Sequence, residues 1–176
     1  MKYGPVNLGQ IEALLNKIGG EEGMNAILSG RAKIAYSEHV IDLDADPRIP
    51  HEGWKVEEHR KGGQFKWDAS KIQLFLTKQQ LEGGSNEGNK LRKLWKELAD
   101  MPVYNANLLY YLSDNPHLIP QEWKDKAVCF WGTIYRNSDG RLFVRYLVWD
   151  GERWLRDDCW LNSFFGADYP SAVMTQ

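Results

Sequence analysis

Two arginines and an aspartate towards the end of the chain, Arg145, Arg156 and Asp158, have the spacing to share one face of a β-hairpin. Guanidinium groups make short, charge-assisted and often bidentate hydrogen bonds to carboxylate and phosphate. Trp154 and Phe143 fall on the same face and add aromatic surface. These residues form the candidate ligand-binding set, and the chemistry they suit is capture of a small anion with a ring stacked against it. A plainer alternative is that Asp158 neutralises both arginines and the group is structural. That alternative carries more weight, because buried charges are ordinarily paired.

Other chemistry finds less support. His51, Glu52, Glu57, Glu58 and His59 gather imidazoles and carboxylates, but their spacing fits no metal motif and there is no HExxH. A solvated polar loop is the better reading of that stretch. The serines stand in no nucleophile-elbow pattern. Cys129 lies in an apolar run, and Cys159 is flanked by Asp157 and Asp158, which would raise its pKa rather than activate it. The Gly-Gly pairs at 19–20, 62–63 and 83–84 lack the spacing that cradles phosphate. No catalytic residue, metal ligand or cofactor is therefore assigned.

The element that must position the arginines is Val128–Leu161, which reads as a three-stranded antiparallel meander. Strands are expected at Val128–Arg136, Arg141–Trp149 and Glu152 to about Leu161, with a turn-rich Asn137–Gly140 between the first two. Asp150-Gly151 reads as a two-residue type I′ turn. That register sets Trp149 against Glu152, Leu147 against Trp154, Arg145 against Arg156 and Phe143 against Asp158. It also sets Phe130 against Leu147 and Ile134 against Phe143. One face then carries Phe130, Ile134, Phe143, Leu147, Trp149, Trp154 and Trp160 with the charged group among them. The other carries Cys129, Trp131, Tyr135, Val144, Tyr146 and Val148. Both are apolar, so each needs cover, or one needs a ligand. The upstream helices supply cover for one face. The two cysteines sit on outer strands at opposite ends of the meander, too far apart to bridge.

The 176 residues suit one domain, or one domain with a small appendage. A hydrophobic fraction of 43% and a charged fraction of 26% describe an ordinary globule. Eight Trp and eight Tyr suggest aromatic core filling first, and stacking platforms for sugar or base second. A net charge of −2 argues against a dedicated nucleic-acid binder. No apolar leader and no membrane-length run is present, so a cytoplasmic location is expected.

Upstream, Gly9–Ile18 and the stretch from Glu21 to Gly30 read as a helical hairpin. The acids Glu21 and Glu22 lead its second helix, which argues against a DNA-reading role. Ala32–Leu43 reads as extended, Asp44–Gly63 as a linker or long loop, and Gln64–Thr77 as a strand pair or bent strand. Gln79–Asn89 reads as a mobile loop, Lys90–Ala99 as the best helix, and Ala106–Ser113 as a second helix capped by Asn105. An aromatic tail from Phe164 to Pro170 folds back.

Asn105-Ala106-Asn107, Leu118-Ile119-Pro120, Trp123-Lys124 and the strand Phe130–Arg136 resemble the C-terminal part of a group of small bacterial proteins. Ala13–Gly30 resembles a short N-terminal module found ahead of varied C-terminal parts in such proteins. The resemblance spans roughly two-thirds of the chain. It brings no assigned activity, and a module joined to different partners implies an interaction or recruitment role.

The expected fold is α+β: an antiparallel sheet built on the C-terminal meander, with short helices packed on one face. The expected division is residues 1–43 as a helical hairpin and strand module, 44–63 as a loop or linker, and 64–176 as the α+β domain with the C-terminal meander, one compact unit. The expected function is non-enzymatic binding of a protein or small anionic ligand. The alternative is a small enzyme acting on nucleic acid or another phosphate ester through Arg145, Arg156 and one or more of Asp157, Asp158 and His117.

Overall fold

The structure, a computed structural model, describes residues 7–33, 38–82, 94–95 and 97–175. The chain divides into two compact units, Met1–Glu38 and His39–Gln176. Residues 34–37 of the stretch expected to be extended, most of the loop before Asn89 and the start of the Lys90 helix lie outside the described residues. Of that helix, residues 94, 95 and 97 are helical.

The first unit is a helical hairpin. Asn7 caps α1 (Leu8–Lys17) by accepting from Gln10 N, and the Gln10 side chain accepts from Asn7 N in return. Gly19, at φ 89°, makes the left-handed turn into α2 (Gly20–Leu28), and Glu21 and Glu22 sit in the first turn of α2. Neither helix has a buried residue.

The larger unit is α+β. Its strands are β1 (Val40–Asp42), β2 (Lys55–His59), β3 (Gln64–Lys66), β4 (Ile72–Phe75), β5 (Ala127–Arg136), β6 (Leu142–Trp149), β7 (Trp154–Trp160) and β8 (Ser171–Met174). Its helices include α3 (Lys78–Leu81) and α4 (Ala106–Asp114). A six-stranded sheet has the order β4-β8-β5-β6-β7, with β2 pairing with β5 off that path. β5/β8 is parallel and the other pairs are antiparallel. β1 and β3 form a small separate sheet.

Three sequence expectations need correction here. The boundary falls at Glu38, not at residue 43, because Val40–Asp42 pairs with β3 of the larger unit. The segment 44–63 is not a linker, since it contains β2. The charges of Lys55, Glu57 and Glu58 hid this strand. They suit a strand paired with β5 alone, where charge discourages further pairing. Gln64–Thr77 holds two strands, but they pair with β1 and β8 rather than with each other.

β5, β6 and β7 are consecutive and antiparallel, but the β6–β7 register lies two residues from the expected one. Trp149 faces Trp154, Leu147 faces Arg156, Arg145 faces Asp158 and Phe143 faces Trp160. The turn is longer because the Asp150 carboxylate accepts from both Glu152 N and Arg153 N. A shift of two preserves the faces and changes only which residues are opposed. In β5 the register breaks between Cys129 and Ile134, so Ile134 faces Val144 and Tyr135 faces Phe143. The break reverses the expected faces of Ile134 and Tyr135.

The break coincides with the seat of α4. A Cβ on Gly132 would lie 2.9 Å from Asn105 N, Cα and Cβ, so only glycine lets the α4 cap approach β5 this closely. Gly132 N donates to Tyr104 O, and Arg60 N donates to Gly132 O. Asn105 is buried and its side-chain amide donates to Leu43 O at 2.7 Å and Arg60 O at 2.9 Å. Its Oδ1 accepts from Asn107 N, the expected cap.

Both faces of the sheet are covered, where cover was expected on one. α4 closes the first with Leu108, Leu109 and Leu112 against Val128, Phe130, Tyr135 and Leu147. Leu94, Leu98, Leu161 and Phe165 close the second over Cys129, Trp131, Ile134 and Val144. The tail folds back and then adds β8 beside β5, a strand the sequence reading missed. Cys129 and Cys159 are free. They face Tyr146 and Val144, so the width of β6 separates them rather than the length of the sheet.

Candidate functional site

Along β6 and β7 the α4-facing positions are Phe143, Arg145, Leu147 and Trp149, opposed by Trp160, Asp158, Arg156 and Trp154. Arg145 is only 5% exposed. Its Nε lies 3.3 Å from Asp158 Oδ1, and its NH1 donates to Tyr110 Oη at 3.1 Å. Arg145 Nε and Asp158 Oδ1 are buried, yet neither makes a hydrogen bond of good geometry among the described residues. The pair is held by charge, with unused hydrogen-bonding capacity on both groups. The other carboxylate oxygen, Asp158 Oδ2, lies 2.6 Å from His51 Nε2.

Three guanidinium groups converge on the Tyr110 ring: Arg48 at 5.2 Å, Arg145 at 5.4 Å and Arg156 at 5.4 Å from its centroid. Each distance lies in the range of cation–π attraction. α4 positions Tyr110, and one turn on it also presents Asp114. Asp114 takes Arg48 at 2.9 Å and Arg156 at 3.6 Å, one on each carboxylate oxygen. The loop before β2 is fixed from below, because Tyr135 and Tyr110 both donate their hydroxyls to Arg48 O, at 3.1 Å and 3.4 Å. Burial pushes the Tyr135 hydroxyl far above its ordinary pKa, so it stays a donor. Arg48, Ile49, Pro50, His51, Tyr110, Arg145 and Arg156 line a cleft of about 360 Å³.

Of the candidate set, Arg145, Arg156 and Asp158 come together. Trp154 and Phe143 do not join them. Trp154 packs at 5.6 Å on Trp149 in a separate hollow of about 350 Å³, where Lys124 Nζ sits 3.9 Å from the Trp149 ring centre. Phe143 lies 4.6 Å from Trp54, whose ring also contacts His51 at 4.7 Å. Of the enzyme set, Asp157 accepts from Tyr146 Oη on the opposite face. His117 stands by His39, 6.0 Å between ring centres. The aromatic partner of the arginines is Tyr110, from α4.

Sequence reasoning missed Arg48, Tyr110 and Asp114, and it read His51 as part of a solvated loop. The available signal for Tyr110 and Asp114 was their spacing of four on one helix, which places both on one face. His59 and His51, grouped as metal candidates, part company. His59 Nε2 meets Leu43 O, which can only accept, and its Nδ1 meets Thr133 Oγ1 at 2.8 Å. Among the described residues no group of three or more His, Cys, Asp or Glu is placed to hold a metal ion. No helix among the described residues is long and apolar enough to cross a membrane.

Fold and site together define an α+β protein with an arginine-lined cleft between a helix and the edge of its sheet. No protein-family model, curated protein or solved structure matches the chain.

Proposed function

We propose that the chain is a binding protein for a small oxyanion, held in the cleft of Arg48, Arg145 and Arg156. The observation that carries the reading is the convergence of three guanidinium groups on one ring, ion-paired among the described residues with Asp114 and Asp158. Arg145 is committed to Asp158, but Arg48 and Arg156 are not equally bound. They share Asp114, and their side chains are 61% and 43% exposed. Ion pairs this exposed are worth about 0–1 kcal/mol. A charge-assisted hydrogen bond to a ligand is worth about 1.5–3 kcal/mol, so an anion competes well for both groups.

Calorimetric titration with inorganic phosphate at low ionic strength tests the reading, because screening weakens such contacts. Phosphate should bind, and Arg156→Ala should weaken it by about tenfold, the equivalent of about 1.4 kcal/mol. Absence of any phosphate binding, or equal affinity in the variant, would reject it.

A further inference from the structure

We infer that His51 is a nucleophile for a phosphoryl group bound in this cleft, and that the protein hydrolyses a phosphate monoester. The inference rests on the oxyanion reading and extends it from capture to chemistry. A carboxylate oxygen such as Asp158 Oδ2 accepts, which assigns the hydrogen on the 2.6 Å contact to His51 Nε2. In the neutral ring the lone pair then resides on Nδ1. The ring is held from two sides, by Asp158 and by the edge contact to Trp54. It nevertheless keeps 53% of its side chain exposed and lines the same cleft as the three arginines. Asp158 is itself fixed by Arg145, so nucleophile, orienting carboxylate and cationic wall form one connected set.

The chemistry balances without any further co-reactant than water. Nδ1 forms a bond to phosphorus as the ester P–O bond breaks. The leaving oxygen departs with the electron pair and takes a proton from water. The ring is now a cation, and Asp158 across the Nε2–H bond stabilises it. Arg48 and Arg156, the two exposed guanidinium groups, offset the charge on the transferring oxygens, as such transfers require, while Arg145 holds Asp158. Water then attacks phosphorus, the N–P bond breaks, and its electrons return to Nδ1 as phosphate leaves. The proton lost by that water goes to solvent. A phosphate monoester fits this site better than a carboxylate does, because one guanidinium fork satisfies a carboxylate, whereas the two exposed forks of Arg48 and Arg156 match the several oxygens of a phosphoryl group.

The test uses the full chain with p-nitrophenyl phosphate. Release of p-nitrophenolate is followed, and the protein is quenched in alkali for intact-mass measurement and peptide mapping, because the N–P bond of phosphohistidine is labile to acid. The expected result is turnover and a phosphoryl mass on the peptide containing His51. His51→Gln should lose the adduct and slow turnover by about a hundredfold or more. Wild-type protein that binds phosphate but shows neither turnover nor adduct would overturn the inference and leave the oxyanion reading standing. So would an adduct mapped to another residue, or undiminished turnover in His51→Gln. Failure of wild-type protein to bind phosphate at all removes both.

Discussion

Asp158→Asn should destabilise the larger unit by about 3 kcal/mol, near the lower end of the 3–5 kcal/mol typical of a broken buried pair. The substitution keeps the side chain's shape and removes its charge. Arg145 then remains 5% exposed with no counter-ion within pairing distance among the described residues. Its hydrogen bond to Tyr110 survives, and the adjoining cleft admits water to one side, which places the cost at the low end. Arg145→Met should cost less, about 2 kcal/mol, because Asp158 keeps His51 as a partner. The double variant should lose about 2 kcal/mol, well short of its parents combined, because no uncompensated charge remains inside.

Urea unfolding followed by tryptophan emission measures this directly. All eight tryptophans lie between Trp54 and Trp160, so the signal reports the larger unit alone. Equal urea slopes across the series would confirm that only stability has changed. Additive losses, or a cost below about 1 kcal/mol for Asp158→Asn, would refute the assignment of Asp158 as the partner that holds Arg145.

Gly132→Ala should cost about 3 kcal/mol by the same assay, because its Cβ meets Asn105 backbone at 2.9 Å and neither β5 nor the α4 cap can retreat freely. A change within about 0.5 kcal/mol would show that the cap is not seated as described. Stability should also fall with alkali. Burial raises the Cys159 thiol from 9.0 to about 11 and the Tyr104 hydroxyl from 10.0 to about 12, and moves Cys129, Tyr146 and Tyr169 upward too. Below 9.0 both folded and unfolded chains keep these protons. Above it the unfolded chain releases protons that the folded chain retains, so stability declines as pH rises towards 11. Urea midpoints that stay level from pH 9 to 11 would contradict that.

Local chemistry in the sequence was readable, and long-range pairing was not. Alternation exposed β5, β6 and β7, and Asn105 before an apolar stripe exposed α4, because each signal is complete within a few residues. Strand β2 carries too little apolar pattern to announce itself, and β8 depends on a partner more than forty positions back along the chain. The turn at Asp150-Gly151 was located, but its length depends on what the Asp150 carboxylate bonds, which a dipeptide does not reveal. At the site, Arg156 and Asp158 are two apart on one strand and therefore legible. His51 reaches Asp158 across 107 positions, and Tyr110 reaches Arg145 across 35.

The register itself shows why the charged group is arranged as it is. The expected two-residue turn would have set Arg145 against Arg156, a like-charge pair that opposes strand association. The observed register sets Arg145 against Asp158 and closes the turn with Trp149 on Trp154 at 5.6 Å. Attractive charge and aromatic pairs each favour their register by about 0.2–1 kcal/mol, and both act against the tighter turn. That choice satisfies Arg145 with one carboxylate. A structural role for the cluster would need nothing more. Yet Arg156 is carried along β7 to the same ring, and the loop before β2, pinned by two tyrosine hydroxyls, brings Arg48 to it as well. Asp114 must then serve both of these exposed cations. Guanidinium groups gathered on one ring repel one another, and that repulsion is the physical basis of the oxyanion binding proposed above.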